Sequence, residues 1–457
     1  MINPMKPQII TLFEYQSISY LSLGIKADDL FLLALDNVRT ADGGRIFSLE
    51  RDQFRATNYV GVVQVGDWII EVLPKIDFEM VDEPVSYQQS ESDRKRSAAK
   101  NFFYLINHLN TLSLSPQGVV TLYRANSTWL ENLTRLFIEL LLTELGRGFN
   151  QDYVRKDDYL PYIRGRWNIT RQFSTKPLLT EGLDVSFDDY LPDTPLNRVF
   201  KLTVHRLKRI TKDPTNLRGL LDIDNWLHEV TLIPDISNED LDCFEFSRLN
   251  ERFKPAFRMA EMFLKGLSVQ LFAGRQQAYS IMFNMDKLFE DLVTKFMTDR
   301  SSNALPSNLK CCEVEIQGGK PVKNLIQRLD LGSHDIFDLK PDIMFKKDGL
   351  TRLIIDAKNK VLIENQVNLG VAESDIYQML AYAHRFDCSN FLLLYPSTRN
   401  QGVPIRACFK TVSKDIIIHI ATINLHQSLH KITPLKKEIK EILNGISFTD
   451  ELWRKNG

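Results

Sequence analysis

One stretch of the sequence decides the fold of its C-terminal third: Lys340-Pro341-Asp342-Ile343-Met344-Phe345, then Lys347-Asp348-Gly349, then Leu353-Ile354-Ile355-Asp356-Ala357-Lys358-Asn359-Lys360. The pattern predicts two apolar strands joined by a tight Asp-Gly turn. Because side chains alternate faces along a strand, Asp356, Lys358 and Lys360 are expected on one face, and the hairpin brings Asp342 towards that face. Two carboxylates and an ammonium group in one small volume are typical of metal-dependent phosphodiester hydrolysis.

The alternative is that these charges are only the solvent-facing half of a half-buried strand, since an Asp-x-Lys pattern alone recurs by chance. Three features favour a site. Pro341 opens the first strand, where proline is tolerated. The hairpin has a length that brings the two acidic residues together, and a helical pattern follows at residues 373–384.

The segment 373–384 predicts an amphipathic helix, because its apolar residues recur at helical spacing. Gln378 and Tyr382 are four residues apart and are therefore neighbours on one face of that helix. Residues 391–396 then predict a buried strand that ends at a proline. The order of hairpin, helix and strand is typical of a mixed sheet with helical crossovers.

Three motifs in this region resemble the signature of a known superfamily: Pro341-Asp342, Asp356-Ala357-Lys358 and Gln378-x-x-x-Tyr382. They are similar to the PD-(D/E)xK nucleases, in the variant that carries a Gln-x-x-x-Tyr helix. The resemblance implies that Asp342 and Asp356 hold Mg²⁺ together with the carbonyl group of Ala357. It also implies that Lys358 is the catalytic lysine.

The same resemblance implies that Gln378 and Tyr382 support the site or contact the DNA backbone. The superfamily often has a further acidic residue on a helix before the first catalytic strand. The helical pattern at residues 285–293 offers Glu290 for this role. Its neighbours Asp286 and Asp291 are equally well explained as solvated charges on the helix.

The middle of the chain carries two more motifs, a Gly165-Arg166 step and the turn Asp193-Thr194-Pro195-Leu196-Asn197-Arg198 before a helical pattern. These look similar to the McrC family, the nuclease subunits of McrBC-type modification-dependent restriction systems. Residues 99–106 are similar to the start of shorter members, so the resemblance covers about residue 97 to the C-terminus.

The family resemblance implies an endonuclease subunit of an anti-phage restriction complex. Such a subunit cleaves methylated or otherwise specific double-stranded DNA by Mg²⁺-dependent hydrolysis when an AAA+ McrB-like GTPase hexamer activates it. GTP is then bound by the partner, because this chain has no Gly-x-x-x-x-Gly-Lys-Ser/Thr loop. Two alternatives stay open: an adaptor that mainly activates the AAA+ motor, and a stand-alone repair-type nuclease.

The expected fold class is α+β with several domains, because 457 residues exceed what one core usually supports. Residues 1–80 predict a small β-rich domain, with strands on either side of Gly66-Asp67. Residues 81–98 are polar and predict a linker or mobile loop. Residues 99–270 predict a mainly helical middle domain, and residues 271–457 the α/β nuclease domain with its mixed sheet. Apolar stripes at helical spacing occur at residues 129–145, 199–210 and 249–270.

The charge of the chain is balanced, with 57 basic and 58 acidic residues. Because DNA affinity rests mainly on the neutralisation of phosphates, weak non-specific binding by this chain alone is expected. Two basic segments, residues 93–96 and 205–210, are candidates for local DNA contact. The alternatives are a linker for the first segment and a solvated helix face for the second. Three arginines, Arg164, Arg166 and Arg198, are candidates for contact with the partner or DNA, or for pairing with local acids.

The cysteines and the apolar runs bear on the cellular compartment. The five cysteines show no Cys-x-x-Cys spacing, which argues against a zinc module and against a disulfide framework. There is no visible secretory signal, and no apolar run is long enough to span a bilayer. The expected location is therefore the cytoplasm, with no membrane partner.

Overall fold

The computed structural model describes residues 8–24, 30–40, 43–65, 68–76, 91–109, 128–175, 182–271, 277–299, 304–319, 322–328, 334–397, 403–412 and 415–446. The strands in these ranges are β1 (Gln8–Phe13), β2 (Ser17–Ser19), β3 (Phe47–Leu49), β4 (Gln53–Ala56), β5 (Tyr59–Val65), β6 (Trp68–Leu73), β7 (Asp152–Leu160), β8 (Arg166–Trp167), β9 (Leu183–Leu191), β10 (Leu267–Leu271), β11 (Gln277–Asn284), β12 (Glu313–Ile316), β13 (Lys323–Arg328), β14 (His334–Leu339), β15 (Ile343–Lys347), β16 (Leu350–Ala357), β17 (Asn390–Pro396), β18 (Arg406–Lys410) and β19 (Ile417–Ile423). The α-helices are α1 (Leu30–Asn37), α2 (Glu91–His108), α3 (Trp129–Gly146), α4 (Ile169–Thr175), α5 (Pro195–Ile210), α6 (Pro214–Trp226), α7 (Asn238–Asp242), α8 (Lys254–Gly266), α9 (Met285–Thr298), α10 (Ser307–Lys310), α11 (Glu373–Phe386) and α12 (Thr433–Asn444).

The chain forms two compact units, one of residues 1–110 with 269–457 and one of residues 111–268. Both units mix helices with sheets, so the predicted α+β multidomain class agrees with the structure. The division into four segments stays a prediction. The structure places the first and the last of these segments in one unit.

The N-terminal strands belong to a five-stranded sheet with the order β1-β6-β5-β11-β10. The predicted pair of strands within residues 59–74 is confirmed as antiparallel β5 and β6, and the predicted Gly66-Asp67 turn lies outside the described residues. β11 pairs antiparallel with β5, with Ile281 opposite Val62. Every residue of β5 is buried. The predicted boundary near residue 80 therefore falls between strands of one sheet, since β5 and β6 precede it and β11 follows it.

Residues 91–98, predicted as part of a polar linker, instead form the first two turns of α2. Glu91 and Asp93 lie in the first turn, where acidic side chains interact favourably with the helix dipole. Lys95 Nζ lies 2.8 Å from Glu91 Oε1 one turn earlier. The helix then buries Phe102 and Phe103, so tertiary packing stabilises a segment whose composition alone resembles a linker.

The C-terminal part of the same unit contains a six-stranded sheet with the order β12-β15-β16-β17-β19-β18. β15 and β16 are antiparallel, with Ile343 opposite Ile355, whereas β16, β17 and β19 run parallel. This confirms the predicted mixed sheet, with α11 as the crossover between β16 and β17. At the hairpin tip Asp348 and Gly349 have φ angles of 54° and 75°. Two successive left-handed residues are what a type I′ turn requires, and Asp-Gly supplies them.

The second unit is mainly helical, and the three predicted helical stripes are confirmed as α3, α5 and the shorter α8. Its three-stranded sheet has the order β7-β9-β8. Gly165 precedes β8 with a φ angle of 71°, and a Cβ atom there would lie 2.5 Å from the carbonyl oxygen of Ser186. At Gly165 the backbone therefore approaches the neighbouring strand so closely, and in such a conformation, that any residue with a side chain would be strained.

The second motif of this unit caps α5. Thr194 Oγ1 accepts a hydrogen bond from the Asn197 N–H, and Pro195 occupies the first turn. Arg198 forms two hydrogen bonds to the Asp193 carboxylate, at 2.8 and 2.9 Å, and thereby lowers the pKa of Asp193. Arg164 likewise pairs with Asp189 at 2.9 Å. Of the alternatives for these two arginines, the structure shows the pairing with local acids.

A buried carboxylate joins α3 to the start of α6. Glu131 is 7% exposed and accepts hydrogen bonds from Thr211 Oγ1 at 2.6 Å, the Lys212 N–H at 2.6 Å and Asn216 Nδ2 at 2.7 Å. We expect Glu131→Ala to lower the free energy of unfolding by about 3 kcal/mol, because it leaves buried donors without an acceptor. Urea denaturation should show this loss, whereas Glu139→Ala, at an exposed site on the same helix, should change it by less than about 0.5 kcal/mol.

None of the helices in the described part of the chain is both long enough and apolar enough to cross a membrane.

Candidate active site

The hairpin brings the two predicted strand acids to one end of the sheet. Asp342 directly precedes β15, and its Oδ2 atom accepts a hydrogen bond of 2.8 Å from the backbone N–H of Ala357, the last residue of β16. Asp356 lies one residue earlier on β16 and is 1% exposed. The antiparallel register of β15 and β16 therefore places the Asp342 carboxylate, before the start of β15, beside the end of β16.

Lys358 connects the strand acids to α11. Its Nζ atom lies 2.6 Å from Asp356 Oδ2 and donates a 3.0 Å hydrogen bond to Gln378 Oε1. Gln378 Nε2 in turn donates to the hydroxyl oxygen of Tyr382 at 2.9 Å. The four residues that sequence analysis selected on the strand and on the helix thus form one continuous chain of polar contacts.

The electrostatics of the cluster favour a positive charge. Burial raises the pKa of Asp342 to about 8, and the negative charges of Asp356 and Glu290 add to this effect. Burial also raises the pKa of Asp356, which the Lys358 ammonium group lowers in part. Burial lowers the pKa of Lys358, but the nearby carboxylates, Asp356 first, raise it overall. One ammonium group therefore faces several crowded carboxylates, which a further cation would stabilise.

Glu290 joins this cluster from α9. Burial raises its pKa, as do the charges of Asp291 and Asp356, while a hydrogen bond with Asp342 lowers it. Gln317 Nε2 also donates a hydrogen bond to Glu290 Oε1. By contrast, Asp286 accepts a hydrogen bond from Asn58 Nδ2 at 2.7 Å. Glu290 therefore contacts the cluster, whereas Asp286 contacts Asn58; the role of Glu290 stays a prediction.

The donor set suits a hard divalent cation that keeps part of its water shell. Within the described ranges, no three or more His, Cys, Asp or Glu side chains are arranged so as to hold a metal ion. A site of two carboxylates and one backbone carbonyl group needs no such set. Mg²⁺ usually keeps several waters and binds proteins through one or two carboxylates together with substrate phosphates. Asp342, Asp356 and the Ala357 carbonyl group fit that pattern.

Sequence analysis missed one buried acidic residue. Asp375 is 4% exposed, pairs with Lys360 Nζ at 2.8 and 2.9 Å, and accepts a hydrogen bond of 3.4 Å from the Tyr395 hydroxyl group. It lies three residues before Gln378 and therefore on the same face of α11. That spacing is the signal that would have found it. Lys360 thus points to a different acid from the one that Lys358 contacts.

This pairing predicts different roles for the two lysines. We expect Lys360→Met to lower the free energy of unfolding by about 1 kcal/mol, because Asp375 loses its ion partner while the half-exposed lysine limits the loss. The DNA cleavage that the sequence motifs predict should stay within about tenfold of the wild-type rate. Urea denaturation and plasmid cleavage measure the two effects. Lys437→Met removes an exposed lysine and should change neither.

The two basic segments contact local acids. Arg206 Nη2 lies 2.6 Å from Asp235 Oδ1, and Lys208 Nζ lies 2.6 Å from Asp224 Oδ2. These ion pairs favour the solvated helix face over a DNA contact for residues 205–210. The segment 93–96 lies in the first turns of α2.

Comparisons with known proteins agree with these motifs. A family model described as McrBC 5-methylcytosine restriction system component matches residues 54–396. A solved half-complex from the tetradecameric assembly of Thermococcus gammatolerans McrB AAA+ hexamers with bound McrC contains a similar chain, with a TM-score of 0.64 and 20% identity over 96% of this chain and 100% of that one. The cryo-EM structure of the Thermococcus gammatolerans McrBC complex matches with a TM-score of 0.47 and 21% identity, over 65% of this chain and 88% of that one. No curated protein sequence is significantly similar.

The matched region contains the Gly165-Arg166 step, the capping turn of α5 and the polar cluster of β16 and α11. The structural similarity at 20% identity shows that the fold is shared over nearly the whole chain. The resemblance to the McrC family is thereby confirmed, and the chain belongs to the McrBC 5-methylcytosine restriction system component family.

Proposed function

We propose that this chain is a McrC-like, PD-(D/E)xK-type endonuclease subunit that cleaves double-stranded DNA in an anti-phage restriction complex in the cytoplasm. The observation that carries the proposal is the continuous polar chain from Asp356 through Lys358 and Gln378 to Tyr382. On a solvated strand face these side chains would contact water. Here they connect β16 to α11 through the buried Asp356 carboxylate.

The chain's own residues have distinct parts in the proposed reaction. Lys358, held between Asp356 and Gln378, stays protonated because of its raised pKa, so it orients the attacking water and stabilises the negative charge on the phosphate. Tyr382 fixes the Gln378 amide, and Gln378 fixes Lys358. Asp342, Asp356 and the Ala357 carbonyl group would hold Mg²⁺. When bound, Mg²⁺ supplies polarisation of the phosphate and a water of lowered pKa.

Glu290 has a supporting part in this proposal. Its negative charge lies near Asp342 and Asp356, so a cation bound at the site would be stabilised further by Glu290. Its hydrogen bond from Gln317 keeps the side chain of α9 directed at the cluster.

The proposed partner is an AAA+ McrB-like GTPase hexamer that binds GTP and delivers the DNA. The similar solved structure is described as McrB AAA+ hexamers with bound McrC, which supports such an assembly. This chain contains no Gly-x-x-x-x-Gly-Lys-Ser/Thr loop, and its balanced charge gives it no general attraction for DNA. Both features suit a subunit that cuts DNA only when a motor protein brings the DNA to it.

Plasmid cleavage tests this proposal. The full chain is incubated with methylated or unmethylated plasmid and Mg²⁺, with and without a McrB-like GTPase from the same organism and GTP. Cleavage only in the complete mixture is the expected result. Cleavage by the chain alone would indicate a stand-alone nuclease, and stimulation of GTP hydrolysis without any cleavage would indicate an adaptor.

A further inference from the structure

A cavity of about 830 Å³ opens beside the candidate active site. Asn359 and Lys360, the two residues that follow Lys358, form part of its wall. The N-terminal region supplies a further part of the wall, with residues 13–16 at the end of β1 and Lys75 after β6. The volume is in the range of nucleotide-sized ligand sites. A ligand in this cavity would therefore contact the residues that directly follow Lys358.

The wall from the N-terminal region combines aromatic rings with cations. Lys75 Nζ lies 3.9 Å from the centre of the Tyr15 ring, and Arg55 Cζ lies 5.9 Å from it. Arg94 Cζ lies 5.0 Å from the centre of the Phe13 ring. Aromatic faces beside cations are the pattern by which proteins bind unstacked nucleotides, whose bases stack on rings and whose phosphates attract the cations.

The chain itself holds the carboxylate that lies beside these cations. Glu14 is 3% exposed, and its Oε1 atom accepts a hydrogen bond of 3.1 Å from the backbone N–H of Lys75. Burial raises the pKa of Glu14 to about 7, while the Lys75 ammonium group and a side-chain hydrogen bond with Asn359 lower it in part. The aromatic rings and the cations are therefore the groups that can bind a nucleotide.

We propose that this cavity binds one unstacked nucleotide of the DNA strand beside the cleaved phosphate, with its base on Tyr15 and its phosphate near Lys75 and Arg55. Because every base has an aromatic face, stacking on Tyr15 tolerates any base. The inference rests on the proposed nuclease function, since it assigns a neighbouring subsite to the same DNA strand.

Binding without Mg²⁺ tests the inference separately from cleavage. Fluorescence anisotropy of labelled single-stranded oligo-dC and oligo-dT with the full chain at low salt gives two dissociation constants. We expect the two constants to agree within about threefold, because stacking does not distinguish the bases. Lys75→Met should weaken both by about fivefold. Lys437→Met, outside the cavity, should bind both as the wild type does.

The outcomes separate the cavity from the rest of the proposal. A Lys75→Met variant that folds, as judged by thermal unfolding, and binds both oligonucleotides as the wild type does would overturn the inference, even if the chain cleaves DNA. Deoxycytidine monophosphate distinguishes the source of the nucleotide. If Lys75→Met weakened binding of this free nucleotide but not of oligo-dC, the cavity would serve a free nucleotide and the proposal would be wrong. The expected weakening of both would support it, even if no mixture cleaved plasmid.

Discussion

Replacing Asp356 by asparagine should lower the rate of DNA cleavage by about a thousandfold or more, equivalent to about 4 kcal/mol of transition-state stabilisation. Asparagine keeps the shape of the side chain but removes the negative charge that would hold the cation. Folding should be preserved, because burial raises the pKa of Asp356 and a buried charge costs stability at neutral pH. Cleavage of supercoiled plasmid in the complete mixture and thermal unfolding measure the two effects.

The hairpin tip offers a matched control for this change. Asp348 is exposed and has a φ angle of 54°, a conformation that asparagine also tolerates. Asp348→Asn should therefore cleave at the wild-type rate. Full cleavage by Asp356→Asn would mean that the metal site lies elsewhere. Stimulation of GTP hydrolysis in the partner should survive Asp356→Asn, because docking and cleavage use different groups in the proposed function.

The second large effect is expected at Lys358. We expect Lys358→Met to lower the single-turnover cleavage rate by about a hundredfold or more, because the water and the phosphate lose their positively charged neighbour. The methionine chain fills a similar volume but cannot pair with Asp356 or donate to Gln378, so Asp356 loses the group that lowers its pKa. Binding of DNA in the absence of Mg²⁺ should change far less than the rate.

Lys360→Met is the matched comparison for Lys358→Met, because both lysines follow β16 and each pairs with a buried acid. Equal losses of cleavage in the two variants would show that the catalytic lysine has been misassigned. A loss confined to Lys360→Met would move the assignment to the pair that Lys360 forms with Asp375.

The hairpin and the helix of the candidate site were predictable because their signals are local. The Asp348-Gly349 turn determines how β15 and β16 pair, and strand alternation then determines which face Asp356 occupies. The four-residue spacing of Gln378 and Tyr382 places both on one face of α11. Each of these inferences needs only a few neighbouring residues, and the structure brings Asp356, Lys358, Gln378 and Tyr382 into contact.

Other features depend on contacts between distant parts of the chain. The contact between Glu290 and Asp342 depends on the position of α9, which no local pattern of residues 285–293 contains. The partner of Lys360 is Asp375, which comes from a different element. The cavity beside the site combines residues 13–16 with residues 359–361, so its position was not predictable before the two regions were seen in one unit.

The pairing of β5 with β11 has a consequence for folding during synthesis on the ribosome. Asn58 donates a hydrogen bond to Asn284, 226 residues further along the chain. At a synthesis rate of about 5–20 residues per second, the apolar β5–β6 hairpin emerges on the order of ten seconds or more before the strand that covers its free edge. Contacts between residues so far apart in sequence slow folding, and until residue 284 has been synthesised the edge of β5 is open to pairing with another strand.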